Sequence, residues 1–297
     1  MTRVLAPLVA LALAASSTAA VKLEQQTRRV YFNAFDRNGA VVIDLTAPEI
    51  TVKEGGKNRE VASLRPATEP LQIAILVDDN GTGLFRVAVA RFIEGLLGRA
   101  EFSVITVTGQ PHKLTPFTGN SDVLREAINQ LNARPGSPDG GQLLSGIHES
   151  ALDFERRKVE RPIILALTVG GEEHTPLPPH HVLDQLRKSG AALHVVSVIG
   201  STQRTTAPAN RASDLLNENL GLNEILGDGP KRSGGHREEI PAIAGALTGL
   251  QQLAEALKRQ YVVEYTLPEG VKASDRFSIA TRRKDVTLRA PTYIPDR

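Results

Sequence analysis

The 297-residue chain contains no cysteine, no tryptophan and a single methionine, and aromatic residues make up only 4% of it. Without thiols there is no cysteine nucleophile, no Cys-ligated zinc, no iron–sulfur cluster and no disulfide scaffold. So few aromatic rings argue against a platform that stacks on sugars. An excess of one charge is also missing: 35 Lys+Arg stand against 33 Asp+Glu. A formal net charge of +2 gives no basic field able to drive nucleic-acid binding by counterion release. No apolar run approaches the roughly 20 residues that span a bilayer. What is present is a 41% hydrophobic share with mixed charge, the composition of a globular protein. A chain of this length makes one large domain or two modest ones, and buries enough surface for a core without staples.

The longest apolar run, residues 4–15, follows the basic Arg3 and precedes Ser16-Ser17-Thr18-Ala19-Ala20. A positive start, a short apolar stretch and small residues for cleavage are the marks of a secretory signal peptide over residues 1–20. The reading predicts an exported chain, periplasmic or secreted, with no membrane span once the leader is removed.

Residues 21–68 read as a small β subdomain. Residues 28–34 alternate apolar and polar, 41–45 and 50–54 are two further strands, and Gly55-Gly56 turns the chain into a strand at 61–64. The stretch 65–70, with Pro66 and Pro70, is a hinge. From Leu71 short apolar runs alternate with helical spacing: strands at 71–77, 102–107, 163–169 and 193–199, and helices at 84–97, 121–131, 143–154, 179–188 and 243–257. A short edge strand is expected at 113–117. This rhythm predicts an α/β domain over residues 71–260, with a mostly parallel sheet and helices on both faces. Residues 200–235, rich in Thr, Asn, Gly and Pro, are expected to be a long surface loop holding a short helix. Residues 261–297 supply a strand at 261–267 and a closing hairpin from 276–283 and 286–290, packed with the β subdomain.

In open α/β sheets, ligands bind beyond the carboxyl ends of the strands. The first such loop here is Asp78-Asp79-Asn80-Gly81-Thr82-Gly83. It sets oxygen-bearing side chains at Asp78, Asn80 and Thr82, and hard divalent cations such as Mg²⁺ take oxygen ligands. The bland alternative is that Asp78 and Asn80 make the turn, the two glycines let it bend and Thr82 caps the following helix.

A hydrophobic strand followed by Asp-x-Asn-x-Thr and a helix resembles a degenerate Asp-x-Ser-x-Ser motif of von Willebrand factor A domains. Residues 30–39 (VYFNAFDRNG), with Ile50-Thr51-Val52, Glu54-Gly55-Gly56 and Val61, resemble the N-terminal part of bacterial exported von Willebrand factor A-related proteins. Residues 257–266 (LKRQYVVEYT) resemble the late helix-to-strand junction of the same family. The resemblance runs from Val30 to Tyr293, with 200–235 poorly matched. It implies a von Willebrand factor A-type, Rossmann-like fold that binds a protein or other ligand through the top of the sheet, without catalysis. The family's metal-ion-dependent adhesion site draws on three loops, and this chain departs in each. Asn80 and Thr82 stand for the serines, Gln142 follows Gly140-Gly141 where a threonine is expected, and Val169 stands where an aspartate belongs. The implied metal set is therefore Asp78, Asn80, Thr82 and Gln142, with Mg²⁺ or another divalent cation bound weakly or not at all.

The competing reading is a metal-assisted hydrolase using Asp78, Glu172, Glu173 and His174; a third is a structural module whose site has decayed. His174, His180 and His181 with Glu172 and Glu173 suggest a transition-metal cluster, although the intervening prolines forbid a helix-borne His face. Gly81-Thr82-Gly83 lacks the third glycine of a dinucleotide loop. Ser145 lacks the spacing of a nucleophile elbow.

Overall fold

The computed structural model describes residues 26–132, 141–198 and 212–295. The expected leader and Gly140 lie outside them. In chain order the strands and α-helices are β1 (Gln26–Phe35), β2 (Ile50–Glu54), β3 (Lys57–Arg59), β4 (Val61–Pro66), β5 (Leu71–Asp78), α1 (Arg86–Leu96), β6 (Ala100–Thr108), β7 (Gln110–Thr118), α2 (Ser121–Asn129), α3 (Leu143–Arg157), β8 (Pro162–Thr168), α4 (Pro179–Ser189), β9 (Ala192–Val198), α5 (Ala212–Ser233), β10 (Arg237–Ile240), α6 (Ala244–Lys258), β11 (Tyr261–Leu267), β12 (Phe277–Thr281) and β13 (Thr287–Arg289).

The apolar run of β5 is buried on both faces, as a central parallel strand requires. Ile73, Ile75 and Val77 face one core with α1, α2 and α6. Ala74 and Leu76 face a second core with α3, α4 and α5. The sheet order is β10-β9-β8-β5-β6-β7. Pairing is parallel from β10 to β6, and only the edge strand β7 is antiparallel. The topology matches the expected α/β class: a mostly parallel sheet with helices on both faces and an antiparallel edge.

Strands from both ends of the chain form the other sheets. One has the order β13-β1-β11-β4 and another β12-β2-β3, and both share the core of Phe32, Val52 and Tyr265. Arg28 ties them together. Its guanidinium meets Glu54 at 2.7 Å, with side-chain exposures of 5% and 0%, and also donates to the carbonyls of Ser274 and Pro295. The parallel sheet is joined to this region by Arg161, which donates to the Gln260 side chain at 2.8 Å and the Leu257 carbonyl at 3.2 Å.

Several expectations are corrected. Residues 41–45 make a single bridge, Phe35 to Val41, rather than a strand; Val42 and Leu45 reach the core without further ladder pairing. The Gly55-Gly56 turn leads into β3, while β4 leaves for the other sheet to pair with β11. The C-terminal hairpin does not form: β12 pairs with β2 and β13 with β1. Within 200–235, residues 212–233 form the 22-residue α5 instead of a short helix in a loop. The glycines that read as breakers are close-packing points: a Cβ on Gly221 would lie 2.7 Å from the Pro179 ring, and one on Gly229 would lie 2.9 Å from Leu193. Burial of Ile225 and Leu226 offsets the helix penalty of about 1 kcal/mol per glycine. The charged β10 carries no strand pattern in the sequence; as an edge strand it needs only Ile240 inside.

Candidate binding face at the carboxyl edge of the parallel sheet

Register puts Asp78, at the end of β5, beside Thr168, at the end of β8. The Thr168 hydroxyl donates to Asp78 Oδ2 at 2.7 Å and accepts from the Gly170 amide at 2.9 Å. The Val169 amide closes the junction on the Asp78 carbonyl at 3.0 Å. On the other side the chain comes so close at Gly141 that a Cβ there would lie 3.2 Å from Asp78 Oδ1. No cation neighbours the carboxyl among the described residues, and burial pushes it up to about 7, with the Thr168 bond opposing.

Asp79 is fully buried, and neither of its oxygens makes a hydrogen bond of ordinary geometry. Burial raises its pKa, while the nearby amides of Phe85, Leu84, Gly81 and Gly83 pull the other way. These amides lead into α1, so the acid sits at the positive end of that helix. The next residues make the turn: Asn80 is exposed with φ of 56°, and the Thr82 hydroxyl and amide both donate to the Asp79 carbonyl, at 2.7 and 3.2 Å. Thr82 therefore does not cap α1, which begins at Arg86 after Phe85 with no side-chain cap.

Gln142 precedes α3. Its amide donates to the Gly109 carbonyl, and its side-chain oxygen accepts a long bond of 3.4 Å from Ser145. The terminus of α3 is satisfied by Glu173 instead: the Leu143 amide donates to Glu173 Oε2 at 3.0 Å. Oε1 of Glu173 accepts from the Thr175 amide at 3.1 Å and from its hydroxyl. Two backbone bonds, Gly141 to Glu172 and His174 to Gly141, zip the second and third loops together. Burial pushes the Glu173 carboxyl up to about 7, and the charge of Asp78 adds to this. The sequence marks Glu173 as a candidate ligand of the hydrolase and transition-metal readings, but its role at a helix start 30 residues earlier gives no local signal.

The expected metal set is thus divided among separate tasks. Asp78 turns in, Asn80 turns out, the Thr82 hydroxyl is committed to the backbone and Gln142 to Ser145. Val169 packs against the apolar core. One half-buried carboxyl that holds its proton near neutrality is a poor donor set for a hard cation, which favours several charged oxygens. Glu172 and His174 face each other at 3.4 Å, and the rings of His180 and His181 lie 4.4 Å apart on α4. Among the described residues no three His, Asp or Glu side chains converge as metal ligands. Beside the turn, Leu84 and Val87 are 50% and 62% exposed.

No family model matches the chain, and no curated protein matches it in sequence. Similar solved structures include a von Willebrand factor type A protein from Catenulispora acidiphila, at 11% identity and a TM-score of 0.49 over 93% of this chain and 76% of that one. Proximal thread matrix protein 1 from the mussel byssus is similar at 11% identity and a TM-score of 0.47, over 66% of this chain and 49% of that one. The pilus adhesin SpaC of Lactobacillus rhamnosus GG, in its open conformation, is similar at 8% identity and a TM-score of 0.46, over 83% and 48%. The chain thus spans about half the length of the mussel protein and of the adhesin.

Proposed function

We propose that the chain is an exported protein-binding module whose contact face is built by loops 78–83, 141–144 and 169–174, and that it engages its partner without needing a metal ion. The observation that carries this reading is the combination of buried acids with exposed apolar groups: Asp79 and Glu173 point inward, while Leu84 and Val87, directly after the first loop, stand out. A face of this kind offers apolar contact and backbone groups rather than a charged cation cradle. The hydrolase reading needs Asp78, Glu172, Glu173 and His174 to serve one point, and both Glu173 oxygens are held by the start of α3 and by Thr175.

The test places a photo-crosslinking side chain at Leu84, at Val87, or at Val123 on α2, which is 44% exposed. Crosslinks to one partner from the first two positions, with equal yield in EDTA and in Mg²⁺, support the reading. Crosslinks from Val123 alone would sink the assignment of the face, and loss of yield in EDTA would sink metal independence.

A further inference from the structure

Away from these loops, an open groove of about 1230 Å³ runs between β9, β10, α6 and β13. Its floor holds His194, the third residue of β9. His194 is 3% exposed, and neither imidazole nitrogen has a hydrogen-bond partner among the described residues. A buried polar group without a partner costs free energy, so an orphaned imidazole lining a cleft is a natural partner for a polar group that enters it. His236 lines the same groove from the segment leading into β10. Both imidazoles are held below the ordinary histidine value, by burial first and then by the charge of Arg289, so His194 is neutral at physiological pH.

Arg289, at the end of β13, is brought here because the chain packs tightly behind it: a Cβ on Gly234 would lie 2.6 Å from the Pro291 nitrogen, and Thr292 donates to the Arg232 carbonyl. Its guanidinium lies 4.4 Å over the Phe35 ring and has no ion pair among the described residues. The rim charges are engaged along their own helices, Arg91 with Glu94 at 2.8 Å, Lys231 with Asp228 at 4.0 Å and Glu255 with Lys258. Glu238 is the acid whose field Arg289 feels, but its carboxylate lies against the bare Cα of Gly249, where a Cβ would be 2.5 Å from Oε2.

From this arrangement we infer that the groove is a binding site for a small organic monocarboxylate, whose carboxylate pairs with the Arg289 fork and hydrogen-bonds His194 while its apolar body lies along Phe35, Val41 and Leu253. A planar guanidinium matches a carboxylate with two parallel bonds. Arg289 supplies one positive charge, which a monocarboxylate matches, whereas a phosphate dianion would bring a second negative charge into the field of Glu238. The site shares no residue with the proposed contact face, so the two readings stand or fall separately.

The test uses the full chain with ¹³C-labelled histidine, and NMR of the imidazole resonances during titration with hexanoate, hexanol or inorganic phosphate. Hexanoate is expected to move the His194 and His236 signals, hexanol and phosphate to leave them in place, and Arg289→Met to weaken the response by about tenfold, the worth of a charge-assisted bond. No response to hexanoate, an equal response to hexanol, a response to phosphate instead, or full hexanoate binding by Arg289→Met would each overturn the inference. Should that variant not fold, the contrast between hexanoate and hexanol on the unaltered chain decides.

Discussion

Glu54 and Asp79 are equally shut off from solvent, at 0% exposure each, and their surroundings differ in kind. Glu54 meets the Arg28 guanidinium and also accepts from the Ser274 amide at 2.7 Å. Among the described residues Asp79 has only the ends of backbone dipoles, and Asp78 and Glu173 have hydroxyl and amide donors but no cation. A buried carboxylate with a cation and further donors fixes geometry, here the seam between two small sheets. Buried carboxyls without a cation are raised acids, and Asp78 and Glu173 are pushed up to about 7. The difference teaches where to look for function: in the β region the Glu54 charge has its cation, although its Oε2 is left without a hydrogen bond, whereas the carboxyl edge of the parallel sheet keeps raised acids of the kind that cluster at functional sites.

The comparison breaks most visibly if the balanced pair is cut. Arg28→Met leaves Glu54 buried without its cation and should cost about 3–5 kcal/mol, measured by urea unfolding. A loss below about 1 kcal/mol would show that the pair is not the seam. On the other side, Glu173→Ala strips the acceptor from the start of α3 and, at about pH 4 where the raised acid still contributes in full, should cost about 1–2 kcal/mol, the range for a lost helix cap.

Asp78 and Glu173 are themselves pH probes. In the unfolded chain they titrate near the ordinary carboxyl values of about 4, and in the folded chain near about 7. Between those values the unfolded state releases protons that the folded state keeps. Their contribution is therefore fully present below about pH 4, is lost as pH rises, and levels off above about 7. Asp78→Asn should flatten the slope of stability between pH 5 and 7 and be more stable than the parent chain at pH 8. A parent profile that rises through this window would contradict the raised acids. Restoring charge tests the same edge differently: Val169→Asp with Asn80→Ser should gain a melting-temperature increase in Mg²⁺ worth about 1 kcal/mol, by ligand linkage, that the parent lacks. The smallest effect is expected at the exposed Arg91–Glu94 pair, where Arg91→Ala should change stability by less than about 0.5 kcal/mol.

Much of the parallel sheet is legible in the sequence because its strands are continuous apolar runs and its helices carry regular spacing; β5 and α6 are the clearest cases. Elements whose stability comes from distant partners are not. β10 is four residues, Arg237-Glu238-Glu239-Ile240, that only β9 makes into a strand. In α5, glycines that favour turns locally are used for contact with Pro179 and Leu193. The site divides in the same way. Asp78 and the turn around Asn80 can be read from residue type and position. The role of Glu173 depends on a loop crossing to the start of α3, and the lone His194 depends on which face of β9 it occupies.

One routing detail bears on how the molecule assembles. β11 lies between β1 and β4, strands made early in the chain, and the Ala67 amide meets the Gln260 carbonyl at 2.8 Å. Everything from β5 to α6 is therefore threaded between two halves of one small sheet. Pairing β4 with β11 in an otherwise open chain means closing a loop of roughly 200 residues, and such non-local contacts form slowly. Once the parallel sheet has formed, its first and last residues are already neighbours, and β11 is delivered to its slot. The expected sequence of events is parallel sheet first and β1-β11-β4 last. Pulse-labelled hydrogen exchange would reveal it as amide protection in β5 and β8 preceding protection in β11, and the reverse order would mean that the small sheet is the template for the larger one.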